Sequence, residues 1–406
     1  MALFGDNMTG VRRNNRRAVL ELIQSSGESS RKNLAKSLSL TPAAITHITA
    51  ELLSEGLLME GATIKSGGAG RREVLLRINP KAGYALGVLL NVKAAAVSAT
   101  MLDGTVVFSE EIALEMKAPS DQTVKMLADR LESLMNEYSI PRSKVVGIGL
   151  AVRGIPSRDG RSVVDSYGAI DEKNYPIAEK FESLMHLNTV MTNNVRALFS
   201  AEMFLRKAVS GSEFFLRCEY GIGASIASDG KIFRGDHEQS AEIGHITIVP
   251  NGGKLCSCGK RGCLETVASP NAIRSDVLDI FSESDTPKLY ELAGPDPGDG
   301  LSIVDIMEAA ARGDRKVAKI VDHAVYELAN ALKAVIYLLD PGRITLYGQM
   351  FEHPYCLDRF YREMKEGIDE SHCPEIRKSA YNRELENRCG ALLAVSRFFT
   401  NGGYFA

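Results

Sequence analysis

The residues best suited to chemistry are three cysteines and a histidine. Cys256, Cys258 and Cys263 fall within eight residues, and ten residues separate Cys256 from His245. Thiolate sulfur and imidazole nitrogen are preferred ligands of Zn2+, and three of the first with one of the second complete a tetrahedral Cys3His shell. A shell filled by protein leaves no open position for substrate, so such an ion would be structural and not catalytic. Gly252, Gly253, Gly259 and Gly262 permit the sharp turns that fold thiolates around an ion. The chain has seven cysteines, and the other four are scattered. Clustering of this kind reads as metal binding more readily than as disulfides. The plain alternative is a set of free thiols in a glycine-rich loop.

The cluster belongs to a longer pattern, Glu242-x-Gly244-His245 followed by Cys256-x-Cys258-Gly259-x-x-Gly262-Cys263-x-Glu265. It resembles the signature of the ROK family (repressors, open reading frames and kinases). The resemblance extends over essentially the whole chain, and the N-terminal part resembles the winged helix of the family's repressor branch, the Mlc/NagC-type regulators of sugar use. It implies an actin-like ATPase fold, usually dimeric or tetrameric. It also implies a hexose site built from an Asn-Asp pair, the Glu and His of the metal motif, and the Glu after the last Cys. The matching residues are Asn193, Asn194, Glu242, His245 and Glu265. The aspartate that serves as general base in the family's kinases is therefore Asn194 here. An amide hydrogen-bonds a hydroxyl through both its oxygen and its nitrogen, but it does not take up a proton at neutral pH. At Asn193 and Asn194 the local alternative is satisfaction of a turn; at Glu242 it is orientation of His245.

The phosphate side departs in the same direction. Family kinases open with Gly-x-Asp-x-Gly-Gly-Thr, and the equivalent run here is Gly87-Val88-Leu89-Leu90-Asn91-Val92-Lys93, without carboxylate or turn glycines. The second phosphate loop survives in part as Tyr220-Gly221-Ile222-Gly223-Ala224-Ser225, and the late glycines are reduced to Tyr347-Gly348-Gln349-Met350. Together these departures imply a protein that is not an enzyme. At Val152-Arg153-Gly154-Ile155-Pro156, where the family usually has Pro-Gly, Arg153 suits an acidic or phosphorylated sugar.

These residues need elements to hold them. The periodicity predicts an α/β chain with an N-terminal winged helix-turn-helix and a two-lobed actin-like ATPase domain. Residues 1–80 form the head, 81–195 plus 385–406 the first lobe, and 196–384 the second lobe with the metal loop. In the head, Ala18, Val19, Leu22 and Ile23 stripe a helix from Asn14 to Gln24. A second helix opens at Ser29 or Ser30, and a third opens at Thr41-Pro42, a capping Thr before Pro at the first helical position. The connection Ser39-Leu40 is short enough for a helix-turn-helix. Thr41, Ala43, Ala44, Thr46 and His47 are then the small or hydrogen-bonding readers of base edges. Arg31 and Lys32 suit phosphates, and Arg71 or Arg72 in a glycine-rich wing suits a minor groove. Residues 1–80 carry eleven Lys and Arg against seven Asp and Glu, whereas the whole chain carries −3, so a basic head sits on an acidic body.

In the body, apolar runs over Tyr84–Leu90, Ala94–Leu102, Thr105–Ile112 and Val145–Val152 read as strands, with amphipathic helices between and after them. No apolar run approaches the ~20 residues that span a bilayer, which makes membrane insertion unexpected and the cytoplasm the expected compartment. The expected partners are double-stranded operator DNA, a small carbohydrate effector and further copies of the chain, as a homodimer or homotetramer. Two other readings remain open: an active hexose kinase with an accessory DNA-binding head, and a regulator controlled by a protein such as a membrane sugar transporter.

Overall fold

The structure, a computed structural model, describes residues 8–64, 72–114, 120–206, 211–369 and 372–404. Arg71 and most of the glycine-rich wing loop lie outside these residues.

The chain opens with α1 (Met8–Ser26), a two-residue strand β1 (Ser29–Ser30), α2 (Arg31–Leu38) and α3 (Pro42–Ser54). Ser30 caps α2, its hydroxyl accepting from the Asn33 N–H at 3.2 Å. Thr41 caps α3 in the same way, accepting from Ala44 at 3.2 Å, with Pro42 at the first helical position. Between them Ser39 takes the left-handed conformation that ends α2 and turns the chain. Strands β2 (Leu58–Ile64) and β3 (Glu73–Ile78) pair antiparallel, and β1 adds to β3. Three helices with a tight α2–α3 turn and a following hairpin are the winged helix-turn-helix arrangement. Helix α1 starts at Met8, six residues before the expected start at Asn14. Its early turns are held by polar contacts instead: Arg12 pairs with Glu51, and Arg13 reaches the Asn401 carbonyl at 3.3 Å.

The same compact unit continues through β4 (Tyr84–Leu90), β5 (Ala94–Met101), β6 (Val106–Ala113), α4 (Ser120–Glu137), β7 (Val145–Val152), the short hairpin β8 (Ile155–Pro156) and β9 (Val163–Asp165), α5 (Ile177–Met185), β10 (Thr189–Asn193) and α6 (Asn194–Arg206). Its sheet runs β6-β5-β4-β7-β10, with β4, β7 and β10 parallel and β5 and β6 antiparallel neighbours. Strand β7 is buried along its whole length, which explains its continuous apolar sequence.

The second unit, Ser210–Asn382, repeats this topology. It contains β11 (Ser212–Cys218), β12 (Ile222–Ser228), β13 (Lys231–Phe233), α7 (Glu265–Ala268), α8 (Pro270–Leu278), α9 (Pro287–Ala293), α10 (Ile303–Ala311), α11 (Arg315–Leu339), β14 (Arg343–Tyr347), α12 (Pro354–Lys365) and β15 (Glu375–Lys378). The order β13-β12-β11-β14-β15 matches that of the first sheet element for element, again with three parallel strands. Val317, Val321, Ala324, Val325, Leu328, Leu332 and Ile336 form the buried stripe of α11.

The closing helix α13 (Arg383–Thr400) belongs to the first unit. It lies so close to the sheet that a Cβ on Gly149 would stand 1.9 Å from the Gly390 carbonyl oxygen, and one on Gly87 would stand 2.1 Å from the Ala391 nitrogen. Only glycine permits that approach. Helix α6 packs on α13, with Phe204 and Phe399 stacked at 6.5 Å. For this reason residues 196–206 sit in the first unit rather than with the second lobe. The far end of α13 enters the head. Phe398, Phe399 and Val395 share one core with Val19, Leu20 and Ile23 of α1 and with Ile45 and Leu52 of α3. Arg16, fully buried, donates to the Gly402 carbonyl at 2.5 Å, forks onto Glu55 and lies 4.4 Å from the Tyr404 ring centroid. Head and first lobe thus form one packed body, where the sequence suggests a separate domain over residues 1–80.

Candidate metal centre and strand-end site

Residues 234–264 link β13 to α7. Most of this segment is irregular, with a single 3-10 turn at Ile243–His245. Two isolated bridges, Thr247 to Cys263 and Leu255 to Arg261, fold it back on itself. Within the fold-back, Cys256 donates its N–H to Lys260 at 2.8 Å, and Gly259 donates to Cys256 at 2.9 Å with φ +85°. The turn brings all four predicted ligands together: the ligand atoms of His245, Cys256, Cys258 and Cys263 lie within 4.8 Å of one another. Cys256 Sγ is 3.5 Å from His245 Nδ1, and Cys258 Sγ is 3.7 Å from Cys263 Sγ. In a zinc tetrahedron with Zn–S near 2.3 Å and Zn–N near 2.0 Å, those edges are about 3.5 and 3.8 Å. Burial and the two neighbouring thiols push Cys263 up to about 12, and burial also raises Cys256. Cys258 is partly buried too, but the Lys260 N–H and the adjacent thiols outweigh that and hold it below the usual thiol range. Three thiols packed this tightly do not all ionise without a cation among them. Donor set, spacing and protonation cost therefore all fit a bound metal ion.

The ring of His245 presents Nδ1 to the sulfurs, and its Nε2 lies 3.8 Å from a Glu242 oxygen. A carboxylate near the second nitrogen orients a ligating imidazole. Glu265, at the start of α7, spans the same region. Its Oε2 accepts from the Ile222 N–H at 3.0 Å, and its Oε1 accepts from the Ser257 hydroxyl at 3.4 Å. A Cβ at Gly221 would stand 2.0 Å from Glu265 Oε2, so the remnant glycine loop is seated on this carboxylate. The structure thus gathers Glu242, His245 and Glu265 of the second unit at one place.

Asn193 and Asn194 belong to the first unit, where β10 runs into α6. Asn193 Nδ2 donates to the Gly154 carbonyl at 2.7 Å, and its Oδ1 accepts from Val195 at 2.9 Å. Asn194 Nδ2 donates to Asn91 Oδ1 at 3.1 Å. Asn91 follows β4, and this bond reaches past the end of β7. The registers Leu90 to Val152 and Val152 to Asn193 place all these residues at the C-terminal ends of three parallel strands, where open α/β sheets bind ligands. The pairing of Asn91 with Asn194 was not foreseen; the one cue is that both follow strands ending at the same edge.

On the head, Thr41, Ala43, Thr46 and His47 are exposed and Ala44 is half-buried. The Thr46 hydroxyl bonds the Pro42 carbonyl at 2.7 Å, and His47 lies 3.5 Å from Glu51. Arg31 donates to the Thr49 hydroxyl at 3.0 Å, which ties α2 to α3. Lys32 pairs with Glu73 at 3.2 Å, and Arg72 is exposed beside the wing.

The sequence profile of the ROK family matches residues 86–394. The chain belongs to the ROK family. The N-acetylglucosamine repressor of Escherichia coli O6:H1 is 28% identical over 348 residues, spanning 85% of this chain and 83% of the repressor. A glucokinase of Halalkalibacterium halodurans is 30% identical over 227 residues, 55% of this chain and 67% of the enzyme. The crystal structure of a ROK family transcriptional regulator, a homologue of the Escherichia coli Mlc protein, superposes with a TM-score of 0.78 at 26% identity, covering 97% of this chain and 98% of that one. The match with the regulator therefore takes in the head as well as the ROK domain, and this ROK chain has the regulator's fold throughout.

Proposed function

We propose that this ROK protein is a carbohydrate-responsive transcriptional repressor: it binds operator DNA through its head, senses a sugar in a kinase-like domain and phosphorylates nothing. The observation that carries this reading is the shared core of α1, α3 and α13. It makes the DNA-binding head continuous with the sheet whose strand ends hold Asn91, Arg153, Asn193 and Asn194. Base edges are read by Thr41, Ala43, Ala44, Thr46 and His47, phosphates are met by Arg31 and Lys32, and Arg71 or Arg72 enters the minor groove. The residues that the family resemblance assigns to the sugar are Asn193 and Asn194 in the first unit and Glu242, His245 and Glu265 in the second. The metal is zinc, structural, on His245, Cys256, Cys258 and Cys263. Two copies present two recognition helices to a palindromic operator, as a homodimer or homotetramer in the cytoplasm.

Loss of chemistry is supported by the residues at the strand ends. Leu90 to Lys93, Val152 to Gly154, and Asn193 and Asn194 include no carboxylate. The amide of Asn194 is already a donor to Asn91 and does not remove a proton from a hydroxyl. Signal transfer is supported by α13, which touches β4 and β7 through backbone and ends against Arg16. A sugar that shifts operator occupancy tenfold needs to favour one state by about 1.4 kcal/mol.

The glucokinase relative supports the competing reading of an active kinase. The test is fluorescence anisotropy on operator fragments selected from genomic DNA by the protein itself, followed by titration with simple sugars. The expected result is salt-sensitive specific binding that a sugar releases. Failure to bind any duplex at low ionic strength, or turnover of ATP with a hexose, contradicts it.

A further inference from the structure

Resting on the reading of a sugar-sensing pocket, we infer that the effector carries a negative charge, a carboxylate or a phosphate on the sugar, and that Arg153 is the residue that reads it. Arg153 follows the last residue of β7 and extends the ladder by one bond, its N–H donating to the Leu90 carbonyl at 3.0 Å. It is fixed on its other side as well. Gly154 has φ +107°, and a Cβ there would stand 2.0 Å from the Asp165 carbonyl, so the chain is pinned against the β8–β9 hairpin. The Gly154 carbonyl is the acceptor for Asn193 Nδ2. Arg153 is thus held on rigid backbone, one peptide from a bond made by a sugar-site asparagine.

Arg153 is half-buried, and its guanidinium makes no hydrogen bond or ion pair among the described residues. Asp165, the carboxylate of the facing hairpin strand, is taken by Lys173 at 2.9 Å and by the Tyr167 N–H at 2.9 Å. The other charge at these strand ends is Lys93, also a cation, in the turn after β4. Two cations, against one nearby carboxylate already paired with Lys173, leave this edge of the first unit electropositive. A planar guanidinium offers paired donors that match carboxylate and phosphate oxygens, and charge-assisted bonds of that kind are the strong ones. A neutral hexose would leave the fork with hydroxyl acceptors only.

The test uses the full chain with glucose, N-acetylglucosamine, their 6-phosphates, glucuronate, and inorganic phosphate alone. Calorimetry gives affinity, and release of bound operator gives the response. An anionic sugar is expected to bind at least tenfold more tightly than its neutral parent. Arg153→Gln is expected to abolish that preference while its circular dichroism stays native, and Arg153→Lys to retain part of it. Which anion wins, 6-phosphate or uronate, identifies the charged group. A neutral sugar that binds and releases operator as well as its anionic forms overturns this inference and leaves the repressor reading intact. So does a preference unchanged in Arg153→Gln, or release by inorganic phosphate alone. If no sugar binds, the sugar-sensing reading falls along with it.

Discussion

At the scale of single residues, the metal cluster and the asparagine pair make opposite statements about chemistry. An ion bound there would take all four donors, so the cluster's contribution would be a folded loop that keeps Glu242, His245 and Glu265 together. Cys258→Ser is expected to remove most of the bound zinc, read by atomic absorption, and to weaken sugar release of operator. Full metal loading in that variant would refute the ligand set. Asn194 is occupied by Asn91, and the turn after β4 contains Asn91, Val92 and Lys93. Restoring one carboxylate with Asn194→Asp is therefore expected to yield no hexose-dependent ADP formation, because residues 91–93 offer neither glycine nor carboxylate to a phosphate. The cysteine cluster was legible because its donors are close in sequence and few other jobs need them. The bond between Asn91 and Asn194 was not, since 103 positions separate the partners and only the strand registers bring them together.

At the scale of elements, caps were the clearest signals. Ser30 and Thr41-Pro42 stand where their chemistry puts them, and β7 follows its apolar run from Val145 to Val152. The start of α1 and the allegiance of α6 were hidden because both depend on distant residues: Glu51 of α3 and Asn401 just after α13 hold the start of α1, and α6 packs on α13 itself. That dependence can be tested. Gly390→Val would place atoms against the Gly149 oxygen at 2.6 Å and the Val88 oxygen at 2.8 Å. Backbone crowding of this kind costs about 3 kcal/mol, so the melting temperature of the first unit is expected to fall by roughly 5–10 °C. An unchanged melting curve would mean that α13 is not fixed against the sheet. For α3, His47→Ala is expected to weaken specific binding more than non-specific binding, measured as the ratio of operator to random-duplex affinity. Equal loss on both would reduce His47 to a backbone contact.

At the scale of the whole molecule, two copies of one topology carry the sensor, and the head is built into the first of them. The lobe is braced by arginine–carboxylate pairs. Arg130 holds the Glu110 carboxyl below its usual range, Arg383 does so for Glu111, and Arg161 does so for Glu182. A carboxyl with a depressed folded pKa stabilises above its unfolded pKa, and the gain is lost as pH falls through the folded value. Unfolding by urea is thus expected to become easier below the ordinary glutamate range, and a midpoint flat from pH 7 to pH 3 would contradict this. The central claim is sensing without phosphoryl transfer. Its most direct measurement puts the protein, labelled operator, Mg-ATP and the effector sugar in one cuvette and follows anisotropy and ADP together. The account predicts that the sugar releases the operator while ADP stays at background. Hexose-dependent ADP formation, with the operator undisturbed, would contradict it.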